Sequence, residues 1–153
     1  MTTYPIAEEA WGPLDPFTFD GKAKLVVDGQ NTQFAKFSMG VCDFWPITSE
    51  SLGKLFEITY GGSWPAEKVD KAGERIFNLQ RMFSIMAGFN RQDDRLPEGP
   101  AKQIKMEKEQ FDNALDEYYR IRGWDKQGRP TVKKLADLGI ERELIEVYRS
   151  SLD

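Results

Sequence analysis

One apolar period, running from Pro65 to about Gly88, restricts the fold of this chain more than any other feature. Val69, Ala72, Ile76, Leu79, Phe83 and Met86 recur at intervals of three and four residues, with Phe77 and Met82 widening the stripe. Side chains spaced this way share one side of an α-helix. Pro65 belongs in the first turn, where its missing N–H removes no hydrogen bond. A long helix with one apolar side has to bury that side against other elements, so the rest of the chain must supply partners for it.

The flanking segments supply them as further helices. Asp20 to Phe37 reads as a helix despite Val26, Val27 and Gly29, and Ser38 to Cys42 breaks it. Pro46 bars a helix from continuing. Thr48 or Ser49 is a good N-cap for a helix carrying Leu52, Leu55, Phe56 and Thr59, which Gly61-Gly62 stops. Residues 89–107 are dense in charges and helix breakers and form a linker. A helix over about 108–122 turns Phe111, Leu115, Tyr118 and Tyr119 inward, and Gly123 with the turn from Asp125 to Pro130 ends it. Thr131 caps a short helix that Gly139 closes, and residues 141–151 form the last one. The expectation is an all-α, multihelical fold of five or six helices spanning residues 20–153. An extended lead-in over 1–19, rich in proline and aromatics, precedes it.

Composition removes several function classes. The 153 residues include 25 acidic and 21 basic side chains, interspersed, for a net charge of −4. That balance gives no electrostatic footprint for nucleic acid or an anionic membrane. No apolar run approaches the roughly 20 residues that span a bilayer. The N-terminus resembles no signal peptide, and the lone cysteine fits a reducing compartment, so the expected location is cytoplasmic. Histidine is absent. Zinc sites of the His/Cys type and the Ser-His-Asp and Cys-His arrangements therefore cannot be assembled. No glycine-rich phosphate loop or calcium-loop spacing is present.

Three stretches carry a resemblance. The first is Gly73-Glu74-Arg75-Ile76-Phe77-Asn78-Leu79-Gln80-Arg81-Met82-Phe83, followed by Gly88-Phe89-Asn90-Arg91-Gln92-Asp93-Asp94-Arg95-Leu96-Pro97. The second is Glu117-Tyr118-Tyr119-Arg120-Ile121-Arg122-Gly123-Trp124-Asp125, then Gly128-Arg129-Pro130-Thr131 and Lys134-Leu135 to Leu138-Gly139. The third is Gly40-Val41-Cys42. In order and spacing they resemble the C-terminal part of the tungsten-containing aldehyde ferredoxin oxidoreductase family. The resemblance implies a multihelical domain whose full enzyme holds a tungsten-bis-pterin cofactor in an N-terminal domain. It also implies a [4Fe-4S] cluster with three cysteines from an upstream segment and the fourth at the position of Cys42, with Gly40 and Val41 beside the cofactors. Electrons from aldehyde oxidation would leave through the cluster to ferredoxin.

A lone cysteine is usually a small buried hydrophobe. The preceding Gly40-Val41 turns the reading towards a cluster ligand, thiolate being the ligand that iron–sulfur iron takes. One thiolate cannot hold a cluster that takes four. The chain by itself is therefore not expected to be catalytic or to hold cofactor. Its expected partner is a chain carrying the pterin domain and three cysteines, or else a second copy of itself. Where the family pattern has an acid expected to contact the pterin, this chain has Phe37. Either the register slips, with Asp28 or Asp43 compensating, or pterin binding is altered, and alteration is the favoured reading. Ser84 and Met86 replace a family Asn and Arg. Two functions follow from the residues. One is a C-terminal domain or small subunit of a tungsten- or molybdenum-pterin, iron–sulfur oxidoreductase. The other is a helical interaction module that kept the fold and lost the redox role. Tyr118, Tyr119 and Trp124 are expected to be packing anchors, Arg75 and Arg81 to pair with carboxylates or reach a domain interface, and Asp93-Asp94 to form a turn and capping pair.

Overall fold

The computed structural model describes residues 18–42, 44–95, 99 and 107–152. The lead-in up to residue 17, Asp43 and most of the second half of the linker lie outside the described residues. Six α-helices account for the regular structure described: α1 (Lys22–Ser38), α2 (Ser49–Tyr60), α3 (Ala66–Met86), α4 (Lys108–Arg122), α5 (Val132–Asp137) and α6 (Arg142–Ser150). The fold is all-α.

Local chemistry sets the helix ends. The Thr48 hydroxyl accepts from the Ser51 amide at the start of α2, and Thr131 accepts from the Lys134 amide at the start of α5, each satisfying one orphan donor. Pro65 occupies the N-cap of α3 in extended conformation, one residue before its expected place. Gly123, at φ 70°, ends α4 and starts a tight return in which Trp124 and Pro130 form an isolated antiparallel bridge.

Helix α3 is the axis of the molecule, and packs against α1 and α2. Around its N-terminal half, Val69 joins Ala35, Leu52 and Phe56 in one core cluster, backed by Val41 and Trp64. Around its C-terminal half, Met82 and Ile85 join Leu135, Leu138, Ile140, Ile145 and Tyr148 in a second. Asp70 ties three helices together, accepting from Thr32 of α1 at 3.1 Å and from Ser49 of α2 at 2.6 Å. Ion pairs from Glu74 to Lys134 (2.5 Å) and from Arg75 to Glu141 (2.8 Å) fasten α3 to the C-terminal helices.

The buried line along α3 differs from the expected stripe. Val69, Gly73, Asn78, Met82 and Ile85 are buried, whereas Phe83 is 74% and Met86 44% exposed. Gly73 accounts for the rotation. A Cβ there would stand 1.8 Å from the Asn31 carbonyl oxygen, so α1 crosses α3 directly against its bare backbone. With Gly73 fixed at the contact, Met82 and Ile85 face the second core and Phe83 and Met86 turn away from it.

Candidate functional site

The Gly40-Val41-Cys42 segment is built by the end of α1. Gly40, at φ 66°, donates to the Phe37 carbonyl at 2.9 Å, and Val41 donates to the Lys36 carbonyl at 3.4 Å. These two bonds form a Schellman termination, which requires a left-handed residue at the position of Gly40 and places an apolar residue after it. Val41 packs against the first core cluster. The chain then leaves the core, and the Cys42 thiol is exposed. Beyond it, the Trp45 amide donates to the Cys42 carbonyl at 3.1 Å, and the buried Lys36 ammonium holds the Trp45 carbonyl at 3.1 Å. The thiol is thus presented outward from a turn anchored on both sides.

Three aromatic residues close to it in sequence are open to solvent. Phe37 is 47%, Phe44 80% and Trp45 54% exposed. Phe37, at the position of the expected acid, packs edge-on against Phe34 at 6.3 Å between ring centroids. Asp28 is engaged by Lys24 at 2.5 Å on the outer face of α1, well before the turn. Among the described residues no cluster of three or more metal-ligating side chains exists. Set against a four-thiolate cluster, the described residues do not enclose the group. They fit one corner of it, Cys42 being the single suitable donor.

A second constellation lies between α1, α3 and α4. Arg81 of α3 donates twice to Asp94, at 2.8 and 2.5 Å, and its Nε donates to the Gly128 carbonyl at 2.9 Å. Its guanidinium also lies over the Trp124 ring, 4.9 Å from the centroid. The Tyr119 hydroxyl donates to the same Asp94 carboxylate, and burial together with that charge pushes the phenol pKa well above its ordinary range. Asp94 is therefore an ion-pair centre and caps none of the six helices described. Asp93 does serve a turn, accepting from the Asn90 amide at 2.8 Å. Tyr119 and Trp124 are buried anchors, as expected, while Tyr118 is half-buried. The Trp124 indole donates to Asn78 at 2.7 Å.

The sequence did not point to the polar core beside this pair. Arg122 has no solvent exposure and bonds Asn31, Gln30, the Val27 carbonyl and Tyr118. One signal was present in the sequence: Asn31 falls four residues after Val27 and four before Ala35, on the buried side of α1. An asparagine there demands a polar partner inside the fold.

The described residues thus form an all-α domain that offers one exposed thiol from a helix-end turn. The family model for "Aldehyde ferredoxin oxidoreductase, domains 2 & 3" matches residues 1–140, and the chain belongs to this family. It is 31% identical over 156 residues to the tungsten-containing aldehyde ferredoxin oxidoreductase of Pyrococcus furiosus, covering 92% of this chain and 25% of that protein. It is 29% identical over 126 residues to the aliphatic sulfonate oxidoreductase, WOR-like subunit, of the same organism, covering 71% of this chain and 20% of the relative. Among solved structures, it superimposes on the active-site complex BamBC of benzoyl coenzyme A reductase in complex with 1,5-dienoyl-CoA. The TM-score is 0.78 at 26% identity, over 92% of this chain and 22% of that one. The chain thus spans about a quarter of the length of the curated relatives it matches. No helix among the described residues is long and apolar enough to cross a membrane.

Proposed function

We propose that this chain is the C-terminal part of a tungsten- or molybdenum-pterin, iron–sulfur oxidoreductase, acting on an aldehyde-type substrate and passing electrons to ferredoxin. Its contribution is to present Cys42 as one thiolate of a [4Fe-4S] cluster whose other three ligands, with the pterin domain, come from outside residues 1–153. The observation that carries this reading is the exposed Cys42 on its anchored turn, in a chain of this family. Gly40 supplies the left-handed residue that turns the chain outward, and Val41 supplies the apolar anchor. When bound, such a cluster supplies one-electron transfer. The chain's own part is to hold one thiolate in place and to exclude water with Phe37, Phe44 and Trp45 once a partner covers them.

The exposed apolar surface supports a partner. Besides the three residues around Cys42, Phe83, Met86, Ile58 and Tyr60 are exposed. The test is an anaerobic pull-down of the tagged chain from its native host, with iron, tungsten and molybdenum quantified in the eluate. Iron together with tungsten or molybdenum, arriving with a larger chain, supports the reading. A metal-free chain, alone or self-associated, refutes it.

Phe37 favours a second reading, a helical interaction module without redox role. A phenyl ring cannot accept the hydrogen bond that a carboxylate would offer a pterin amine. On this reading Cys42→Ser leaves partner binding and function unchanged, and loss of an associated redox activity in that variant excludes it.

A further inference from the structure

Arg122 is placed where a charged side chain rarely sits, and its partners are rarer still. It is fully buried. Nη1 donates to Asn31 Oδ1 at 2.6 Å, Nη2 to Gln30 Oε1 at 2.7 Å and to the Val27 carbonyl at 3.3 Å, and Nε to the Tyr118 hydroxyl at 3.2 Å. All four acceptors are neutral, and no carboxylate among the described residues forms an ion pair with it. Buried charges are normally paired, and a guanidinium cannot relieve the cost by losing its proton. The four hydrogen bonds engage all three of its nitrogens but leave its charge uncompensated.

That charge lies behind the wall of a cleft. Gln30, Tyr118 and Phe77 line an open cleft of about 440 Å³ between α1, α3 and α4. All three touch Arg122, whose guanidinium lies 4.2 Å from the Phe77 ring centroid. The cleft is aromatic: Phe34 meets Phe77 edge-on at 4.8 Å, and Phe77 stacks on Trp124 at 5.9 Å with 3° between the ring planes. Its other two charges, Arg81 and Asp94, cancel in their bidentate pair. The lining residues therefore sum to no net charge, and the positive charge of Arg122 stands behind them. Both of the Gln30 bonds, from Arg122 and from the Tyr118 hydroxyl at 2.7 Å, use Oε1, so its amide N–H groups remain for another acceptor. Its volume lies within the range of small-molecule sites, and its lining combines apolar surface with a few polar groups.

We propose that this cleft binds a small flat anion, an aromatic or unsaturated ring bearing a carboxylate. The ring lies against Phe34, Phe77 and Trp124. The carboxylate lies at the Gln30 and Tyr118 end, where it accepts from the Gln30 amide and compensates Arg122. The site stands independently of the cluster reading, because none of its residues belongs to the Cys42 turn.

The probe is 4-fluorobenzoate, titrated against the 153-residue chain and followed by fluorine NMR, with the Trp124 indole N–H as a protein-side reporter. Neutral 4-fluorobenzyl alcohol is the comparison. Saturable binding of the acid, at least about tenfold tighter than the alcohol, is expected from one charge interacting across a partly screened interior, with a shift of the Trp124 signal. Gln30→Glu places a carboxylate on Arg122, and is expected to erase the preference for the acid while the chain stays folded. Absence of saturable binding, equal binding of acid and alcohol, or an undiminished preference in a folded Gln30→Glu chain overturns the proposal. If that variant does not fold, the comparison of acid and alcohol on the unaltered chain decides alone.

Discussion

Gly73→Ala tests the packing on which both sites depend. The added methyl would meet the Asn31 carbonyl oxygen at 1.8 Å, the Asn31 carbonyl carbon at 2.7 Å and the Ala35 nitrogen at 3.0 Å. All three are backbone atoms, so no side chain can swing aside. Restoring an ordinary contact of 3.4 Å requires α1 and α3 to part by about 1.6 Å, which loosens Ala35 and Val69 within the first core cluster. Overpacking of this kind costs about 1–3 kcal/mol, and a rigid backbone neighbour puts this site at the upper end. Replacing glycine by alanine inside a helix returns about 1 kcal/mol of propensity. The net expectation is a loss of about 2 kcal/mol, or a fall in Tm of roughly 4–8 °C for a chain of this size. Urea denaturation followed by far-UV circular dichroism reads it as a lower midpoint at unchanged slope. A midpoint equal to or above that of the unaltered chain would mean that propensity outweighs the contact and that the crossing at Gly73 is not tight.

Trp124→Phe keeps an aromatic ring but leaves Asn78 Oδ1 without its indole donor in the core, and should cost about 1–3 kcal/mol in the same denaturation assay. Arg81→Lys keeps the charge and gives up both the fork to Asp94 and the Nε bond to Gly128, so the 125–130 turn should gain amide hydrogen exchange while α6 does not. Burial pushes the Tyr148 phenol up to about 12 from 10. The folded chain then keeps its proton where the unfolded chain loses it, so stability present below pH 10 falls by about 2 kcal/mol as the pH rises to 12. Tyr148→Phe should flatten that decline, and an unchanged alkaline slope in the variant refutes the assignment. Cys42→Ser, at an exposed thiol, should leave the stability of the isolated chain within about 0.5 kcal/mol.

Helix ends were legible in the sequence because capping is local chemistry: Thr48, Thr131 and Gly123 act within three or four residues of where they stand. The rotation of α3 was not legible. The period of Val69 to Met86 fixes a spacing, but two overlapping stripes share it, and only the approach of α1 to Gly73 chooses between them. Arg122 was hidden for a similar reason, since a lone arginine near a helix end reads as solvated until Gln30 and Asn31, about ninety residues earlier, are brought beside it. Gly40-Val41-Cys42 lay between these cases. The sequence marked the position of the thiol, and the structure adds why the triplet has its form: a left-handed residue, a core anchor, then an outward side chain.

On the proposed function, Cys42 completes a cluster shared with the rest of a larger enzyme. The most direct test is to isolate the assembled protein anaerobically with Cys42 and with Cys42→Ser, and to measure iron, acid-labile sulfide and the EPR signal of the reduced state. The expected result is about four irons and a [4Fe-4S] signal in the unaltered assembly, and loss of iron or an altered signal in the variant, with the two chains still associated. Equal iron and an identical signal in both would contradict it, leaving the exposed thiol without a part in the cluster.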